Sequence, residues 1–209
     1  LINNKMQLSQ AMTAARRVIP EVLAELASLT GRAYPALDLY RMEDAEAAVV
    51  LINSAAETAK DVADRLRADG QRVGVVSLNV LRPFPGREVR DALRHVGAVL
   101  VGDRGDSYGA DGGNLALEVR AALQQDSQNR TLVLNRIYGL GGLDFFDADA
   151  EQFFAEALEA AHQRSVAVPF AYHGTYSGEA DRNPPPGLPP ITAEEVSRGM
   201  AKVTPNPES

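Results

Sequence analysis

Short apolar runs alternate with amphipathic segments through the middle of the chain. The apolar runs are continuous, which is typical of strands that are buried on both faces of a parallel sheet. The segments between them carry apolar residues at helical spacing, and polar or glycine-rich turns separate the two patterns. Four strands are predicted, at residues 47–52, 73–81, 98–101 and 131–137. Helices are predicted at residues 54–68, 85–96, 114–123 and 148–163.

This alternation predicts an α/β domain with a doubly wound, mostly parallel sheet at residues 46–164. Local signals set two of the helix starts. Ser54 with Glu57 three residues later forms a capping-box pair, and Asp147 is expected to cap the last helix. Asp69-Gly70 is a plausible end for the first of these helices.

The segments on either side of this domain have different compositions. Residues 1–45 are predicted to form a linker helix and a connector. Helical spacing covers residues 5–29, where Pro20 is expected to kink or break the helix and Gly31 to end it. Residues 165–209 are predicted to form an extended Pro-rich arm, because five of the eight residues from Asn183 to Pro190 are proline.

Composition and charge narrow the function classes. The net charge of −7 argues against a nucleic-acid surface, which needs a basic face. The chain has no cysteine, so it supplies no disulfide, no thiolate nucleophile and no cysteine-ligated iron–sulfur cluster. No apolar run approaches the ~18 residues of a membrane span, and no secretory signal is visible. A cytoplasmic protein is therefore expected, and the absent initiator methionine indicates a processed start or a piece of a longer chain.

Side chains with catalytic potential are present, but they form no recognisable catalytic set. His95, His162 and His173 are far apart and have no evident carboxylate partner, which argues against a metal site. The glycine-rich loop from Asp103 to Gly113 lies between a strand and a helix, where backbone amides can hold an anion. Its glycine spacing fits neither a P-loop nor a dinucleotide fingerprint. Two interpretations stay open for this loop: a structural or subunit-contact role, and contact with a ligand.

Two segments hold the candidate site residues. In the turn Leu81-Arg-Pro-Phe-Pro85, Phe84 is expected to act as a packing anchor, and Arg82 to pair with a carboxylate across an interface. No residue of this chain is predicted to be catalytic, to bind a cofactor or to ligate a metal. The structural or interface candidates are Arg82, Pro83, Phe84, Asp103, Arg104, Gly112 and Gly113.

The order and spacing of several short motifs resembles one family, the 2-oxoacid:ferredoxin oxidoreductases, also called the pyruvate synthase family. The resemblance covers about residues 5–160 and is to core domain II of the alpha subunit. This domain is similar to the C-terminal domain of transketolases. The matching phrases include Val18-Ile-Pro-Glu21, Leu29-Thr-Gly-Arg32, Tyr40-Arg-Met-Glu-Asp-Ala-Glu46, Leu81-Arg-Pro-Phe-Pro85, Asp103-Arg104, Gly112-Gly113, Leu117-Glu-Val-Arg120 and Ile137-Tyr-Gly-Leu-Gly-Gly142.

The resemblance implies a transketolase C-terminal-like domain within a larger enzyme. That enzyme decarboxylates a 2-oxoacid on thiamine diphosphate with magnesium, and it sends electrons through iron–sulfur clusters to ferredoxin. Coenzyme A usually takes the acyl group. In this family the thiamine-activating glutamate, the diphosphate site and the clusters belong to other domains or subunits, and this chain matches none of their motifs. The implied role is to pack against the thiamine-binding and iron–sulfur subunits, with the isolated chain inactive.

Two other functions remain open from the residues alone. The chain could be a freestanding α/β module that binds a nucleotide or coenzyme A through residues 103–113. It could also be a small α/β enzyme in its own right, although the sequence shows no acid–base constellation for one.

Overall fold

A computed structural model describes residues 2–174, and six strands in this range form one sheet. The strands are β1 (Leu37–Tyr40), β2 (Ala47–Leu51), β3 (Val73–Leu78), β4 (Ala98–Asp103), β5 (Leu132–Ile137) and β6 (Phe170–Tyr172). Their order across the sheet is β1-β3-β2-β4-β5-β6. All neighbouring pairs are parallel except β1 with β3, which is antiparallel. The predicted α/β fold with a mostly parallel sheet is confirmed.

Five α-helices accompany the sheet in the described part of the chain. They are α1 (Ile2–Thr30), α2 (Ser54–Ala68), α3 (Gly86–Leu93), α4 (Asn114–Gln124) and α5 (Asp147–Gln163). Helices α2 and α5 pack on one face of the sheet, and α3 and α4 pack on the other. Because successive strand residues point to opposite faces, each apolar run supplies both layers. In β2, Val49 and Leu51 belong to the first layer, and Val50 belongs to the second.

The edge strands were not predicted as strands. Leu37–Tyr40, predicted as part of a connector, pairs with β3. Phe170–Tyr172, predicted as part of the extended arm, pairs with β5. Both segments are too short for a clear periodic pattern, so the sheet continues past each end of the range 46–164. The prolines from Asn183 onward lie outside the described residues.

Helix α1 is one continuous helix that buries none of its described residues. Of the kink or break expected at Pro20, the break is wrong, because the helix runs through this residue to Thr30. Gly31 ends the helix as predicted, with a φ of 70° that favours glycine. None of the helices described between residues 2 and 174, α1 included, is both long and apolar enough to cross a membrane.

The predicted cap of α2 is wrong. Asn53 occupies the N-cap position, and no described side chain makes a capping hydrogen bond there. Ser54 is the first residue of the helix. The Glu57 carboxylate instead accepts a hydrogen bond from Lys60 at 2.7 Å.

The predicted cap of α5 is also wrong. The carboxylate of Asp149, and not that of Asp147, accepts the backbone amide of Phe146 at 2.7 Å. Asp147 lies within the first turn and pairs with Arg65 of α2 at 2.8 Å. Asp147 is therefore engaged with a residue distant along the chain, and the acceptor for the Phe146 amide is Asp149.

Candidate functional site

The candidate residues lie beyond the carboxyl ends of the parallel strands. Strand β2 has β3 on one side and β4 on the other, so the strand order reverses between β2 and β4. In open α/β sheets, ligands bind in the crevice at this switch point. Asp103 and Arg104 stand at the end of β4, on one side of the crevice. The turn at residues 81–85 follows β3, on the far side of β2.

Asp103 is a buried structural residue. Its carboxylate accepts hydrogen bonds from the backbone amides of Leu115 at 2.7 Å and Ala116 at 3.2 Å, in the first turn of α4. A third hydrogen bond comes from the side-chain amide of Asn135 at 2.9 Å. Burial raises the pKa of the Asp103 carboxyl, although these hydrogen bonds act in the opposite direction. The carboxylate therefore caps α4 from inside the protein.

Asn135 on β5 joins this loop to the sheet, and the sequence analysis did not single it out. Its side-chain nitrogen donates to the Val101 carbonyl and to Asp103, both at 2.9 Å. Its side-chain oxygen accepts the backbone amide of Gly113 at 2.8 Å. A buried amide in an apolar strand needs such partners. The sequence signal for this role was the single asparagine within the apolar run of β5.

Gly112 and Gly113 are explained by close packing against this network. A Cβ atom at Gly113 would lie 2.3 Å from Cγ of Asp103, which no side chain can tolerate. Gly112 has a φ of 144°, and a Cβ there would lie 2.8 Å from Nη1 of Arg120. The structure thus brings together three of the predicted residues, Asp103, Gly112 and Gly113, and gives them a structural function.

The outer part of the loop is open to solvent. Tyr108 at its tip is 82% exposed. The hydroxyl of Tyr172 on β6 donates to Asp106, which raises the pKa of that tyrosine and ties the loop to the sheet edge. Arg104 is exposed, and one of its nitrogens lies 3.4 Å from the Leu143 carbonyl.

The turn at residues 81–85 packs against the other side of α4. Arg82 pairs with Glu118 of α4 at 2.8 Å, and both side chains are partly exposed. Phe84 packs on the layer formed by α3 and α4, as an anchor should. Pro83 follows a cis peptide bond. Both predicted segments therefore contact α4, Asp103 at its start and Arg82 further along.

A cavity of about 360 Å³ opens at the switch point beside Arg104. Its lining includes Asn53 and Ser54 at the start of α2, together with Tyr138 and Phe145. Of these residues, only Arg104 was a predicted site residue, because the others come from segments that are distant along the chain.

Two histidines have carboxylate partners that the sequence did not reveal. Nε2 of His173 lies 2.7 Å from Asp149, and Nε2 of His162 lies 3.4 Å from Glu46. These pairs lie in different places, and the part of the chain that the structure describes holds no group of three side chains suited to a metal ion.

Comparison with known proteins adds a family match. The family described as pyruvate:ferredoxin oxidoreductase core domain II matches residues 45–149. The pyruvate synthase subunit PorA of Thermotoga maritima is 35% identical over 155 residues, 74% of this chain and 39% of that subunit. PorA of Methanothermobacter thermautotrophicus is 34% identical over 146 residues, 70% of this chain and 37% of that subunit. The chain thus spans less than half of the length of these relatives.

Another relative and two solved structures extend the comparison. The ketoisovalerate oxidoreductase subunit VorA of Pyrococcus abyssi is 32% identical over 146 residues, 69% of this chain and 36% of that subunit. A 2-oxoglutarate:ferredoxin oxidoreductase from Magnetococcus marinus is similar in structure, with a TM-score of 0.47 and 19% identity over 61% of this chain and 20% of that one. A split-gene transketolase has a TM-score of 0.44 and 18% identity over 66% of this chain and 45% of that one.

Proposed function

Since this chain belongs to the pyruvate:ferredoxin oxidoreductase core domain II family, we propose that it is a structural and subunit-interface domain of a 2-oxoacid:ferredoxin oxidoreductase. The proposed enzyme oxidatively decarboxylates a 2-oxoacid to an acyl-coenzyme A and passes the electrons to ferredoxin. The chain itself contributes no catalytic residue. The names of the relatives, pyruvate synthase and ketoisovalerate oxidoreductase, support this reaction class.

The observation that carries the packing role is the exposed apolar surface of α1. The helix has 29 residues and buries none of those that are described. Large apolar side chains such as Met12, Val22 and Leu29 are exposed along it. Helices in proteins gain most of their stability by packing an apolar face, which α1 does not do against residues 32–174. We infer that another domain or subunit of the enzyme covers it.

The candidate interface residues have two different roles in this proposal. One group is structural: Asp103, Gly112 and Gly113 hold the loop at residues 103–113 in its conformation. The other group faces outward and contacts neighbouring subunits, with Tyr108 of the same loop as an additional contact. This outward group consists of Arg82 and Arg104. Phe84 belongs with the first group because it packs on the layer formed by α3 and α4, and Pro83 precedes it in the same turn.

The cofactors are assigned to other parts of the enzyme. Residues 2–174 offer no cluster of metal-ligating side chains, and the chain has no cysteine to bind an iron–sulfur cluster. The proposed partners are the thiamine-binding and iron–sulfur subunits, with ferredoxin reached through the complex in the cytoplasm. No membrane or nucleic-acid partner is proposed.

Native mass spectrometry of the protein captured from its own organism, with an antibody to this chain, tests the proposal. We expect co-purifying polypeptides that carry thiamine diphosphate and iron–sulfur clusters. A lone 22.4 kDa species would contradict the subunit role and favour the freestanding module that binds a nucleotide or coenzyme A. As a control, the isolated chain is titrated with thiamine diphosphate and magnesium, and stoichiometric binding would contradict the assignment of the cofactors to other subunits.

A further inference from the structure

The cavity beside Arg104 lies where an α/β sheet binds ligands. It opens between the segment that follows β2 and the segment that follows β5, with Arg104 after β4 beside it, at the reversal of strand order. Its volume of about 360 Å³ is within the range of small-molecule sites. Three kinds of hydrogen-bond donor converge on it.

The first donors are backbone amides at the start of α2. The amide of Ala56 bonds to the Asn53 carbonyl at 3.0 Å, but the amides of Ser54 and Ala55 have no acceptor within residues 2–174. Both of these residues line the cavity. Helix α2 has 15 residues, so its aligned peptide dipoles place partial positive charge at this end.

The second donor is the hydroxyl of Tyr138. This residue is only 2% exposed, and its ring is held between Phe145, with centroids 5.0 Å apart, and Phe153 at 6.1 Å. Buried tyrosines normally hydrogen-bond their hydroxyl, yet this one has no partner within the described residues. The Tyr138 oxygen keeps some solvent exposure. Within residues 2–174, the only fully buried side-chain nitrogen or oxygen atom without a hydrogen-bond partner is Asn129 Oδ1. Tyr138 lines the cavity, so its free hydroxyl is a candidate donor there.

The third donor is the guanidinium of Arg104, which supplies the charge. Its side chain lies across Gly139, where a Cβ atom would be 2.8 Å from Nε. Burial raises the pKa of Tyr138, and two charges act on it in opposite directions: Arg104 lowers this pKa and Asp103 raises it. Asp144 also lines the cavity and opposes an anion.

We propose that this cavity binds the oxyanion group of a small molecule, a phosphate or a carboxylate. The amides of Ser54 and Ala55, the Tyr138 hydroxyl and the Arg104 guanidinium are its donors. The ring of Phe145 packs against the apolar part of the ligand. This site goes beyond the proposed function, which assigns no ligand to the domain, and its test does not depend on assembly of the enzyme.

The test is a titration of the full 209-residue chain with inorganic phosphate and, separately, with acetate, at neutral pH and constant ionic strength. Amide resonances of Ser54 and Ala55 are followed by NMR. Saturable shifts with phosphate, acetate or both support the site, and the ratio of the two dissociation constants identifies the preferred group. The absence of saturation with both probes would overturn the proposal.

Three variants connect any binding to the named side chains. Tyr138→Phe removes a hydroxyl that has no partner in the described chain, so we expect unchanged thermal unfolding and about tenfold weaker anion binding. Arg104→Gln should weaken binding to a similar extent, and Asp144→Asn should strengthen it. Arg87→Gln on α3, whose side chain is 81% exposed, is the control and should change nothing. Unchanged affinity in Tyr138→Phe, or an equal loss in the control, would overturn the assignment.

Discussion

The carboxylate of Asp103 occupies the amino-terminal end of α4, a place where many α/β proteins bind a phosphate. The helix amides that an anion would use are already bonded to this side chain. The loop that starts at Asp103 therefore has glycines for a different reason from a phosphate-binding loop. They make room for a protein carboxylate and for the Asn135 amide.

Substitution Asp103→Asn tests this internal cap. The new side-chain NH₂ would face at least one of three donors, the amides of Leu115, Ala116 and Asn135. We expect the free energy of unfolding to fall by about 1–3 kcal/mol, because a buried donor loses its acceptor. Urea denaturation at pH 7 measures it. Asp111→Asn, an exposed carboxylate of the same loop, is the control, and an equal effect in both variants would contradict the cap.

Gly102 on β4 tests how tightly the α2 and α5 layer is packed. A Cβ atom here would lie 2.5 Å from Leu51, 3.0 Å from Tyr138 and 3.1 Å from Phe153. We expect Gly102→Ala to lower the free energy of unfolding by about 1–3 kcal/mol through overpacking. Gly105→Ala, where the new atom meets nothing within 4 Å, should be close to neutral in the same denaturation assay. Similar stability of the two variants would show that the layer relaxes easily.

Among the elements, β1 is held in place by side-chain contacts with α2 as well as by its backbone pairing with β3. The Tyr40 hydroxyl donates to Asp64 of α2 at 2.7 Å, and Arg41 donates to the same carboxylate at 3.1 Å. Lys60 of α2 donates to Asp38 at 2.6 Å. These contacts link residues more than twenty positions apart, so a four-residue strand forms where the local pattern predicts a connector.

The free energy of unfolding should depend on pH through the contact of Tyr40 and Arg41 with Asp64. The hydrogen bond from Tyr40, with Arg41 beside it, lowers the pKa of Asp64 from its ordinary value of 3.8. A lowered pKa adds stability above the unfolded-state value, and this contribution is lost as the pH falls through the folded-state value. The advantage of the wild type over Tyr40→Phe should therefore be present at pH 7 and shrink below about pH 4.

Urea denaturation of both proteins from pH 3 to pH 7 measures this difference, and carboxyl NMR titration should show a higher Asp64 pKa in Tyr40→Phe. The control is Tyr34→Phe, at a tyrosine outside the contact. A difference that stays constant across the pH range would indicate that Tyr40 acts by packing alone.

The sequence predicted those elements that a local pattern defines. The central strands β2 to β5 follow continuous apolar runs, and their predicted positions agree with the structure to within a few residues. The predicted helix caps were wrong, and the side chains named for them bond elsewhere in the folded chain, Asp147 to Arg65 and Glu57 to Lys60. For the candidate site, the Gly112-Gly113 pair was visible as a motif, but its cause is close packing against Asp103, Arg120 and Asn135, which only folding brings near. Tyr138 was missed because its free hydroxyl is a property of the packed structure.

At the scale of the whole molecule, α1 contributes little to the rest of the described fold. Because it buries no described residue, deletion of residues 1–31 should change the free energy of unfolding by less than about 0.5 kcal/mol. The deletion should also lower self-association, which sedimentation velocity measures, because exposed apolar surface drives association.

A second variant keeps this prediction testable if the shortened chain is poorly produced. Val22→Lys combined with Leu29→Lys in the full chain should lower self-association to the same extent, because both residues are exposed. Loss of folding in this double variant, or unchanged association in both proteins, would show that α1 packs in solution.

The lengths of the strands also affect how the chain behaves at high concentration. The sheet begins and ends with its shortest strands, four residues in β1 and three in β6, while the fully buried strands β2, β3 and β4 lie between them. Long apolar edge strands act as templates for intermolecular β-pairing and fibril growth, and short ones do not. An overproduced chain should therefore resist amyloid-like aggregation. If a preparation becomes turbid, substituting the exposed apolar residues of α1 should help more than redesigning the sheet.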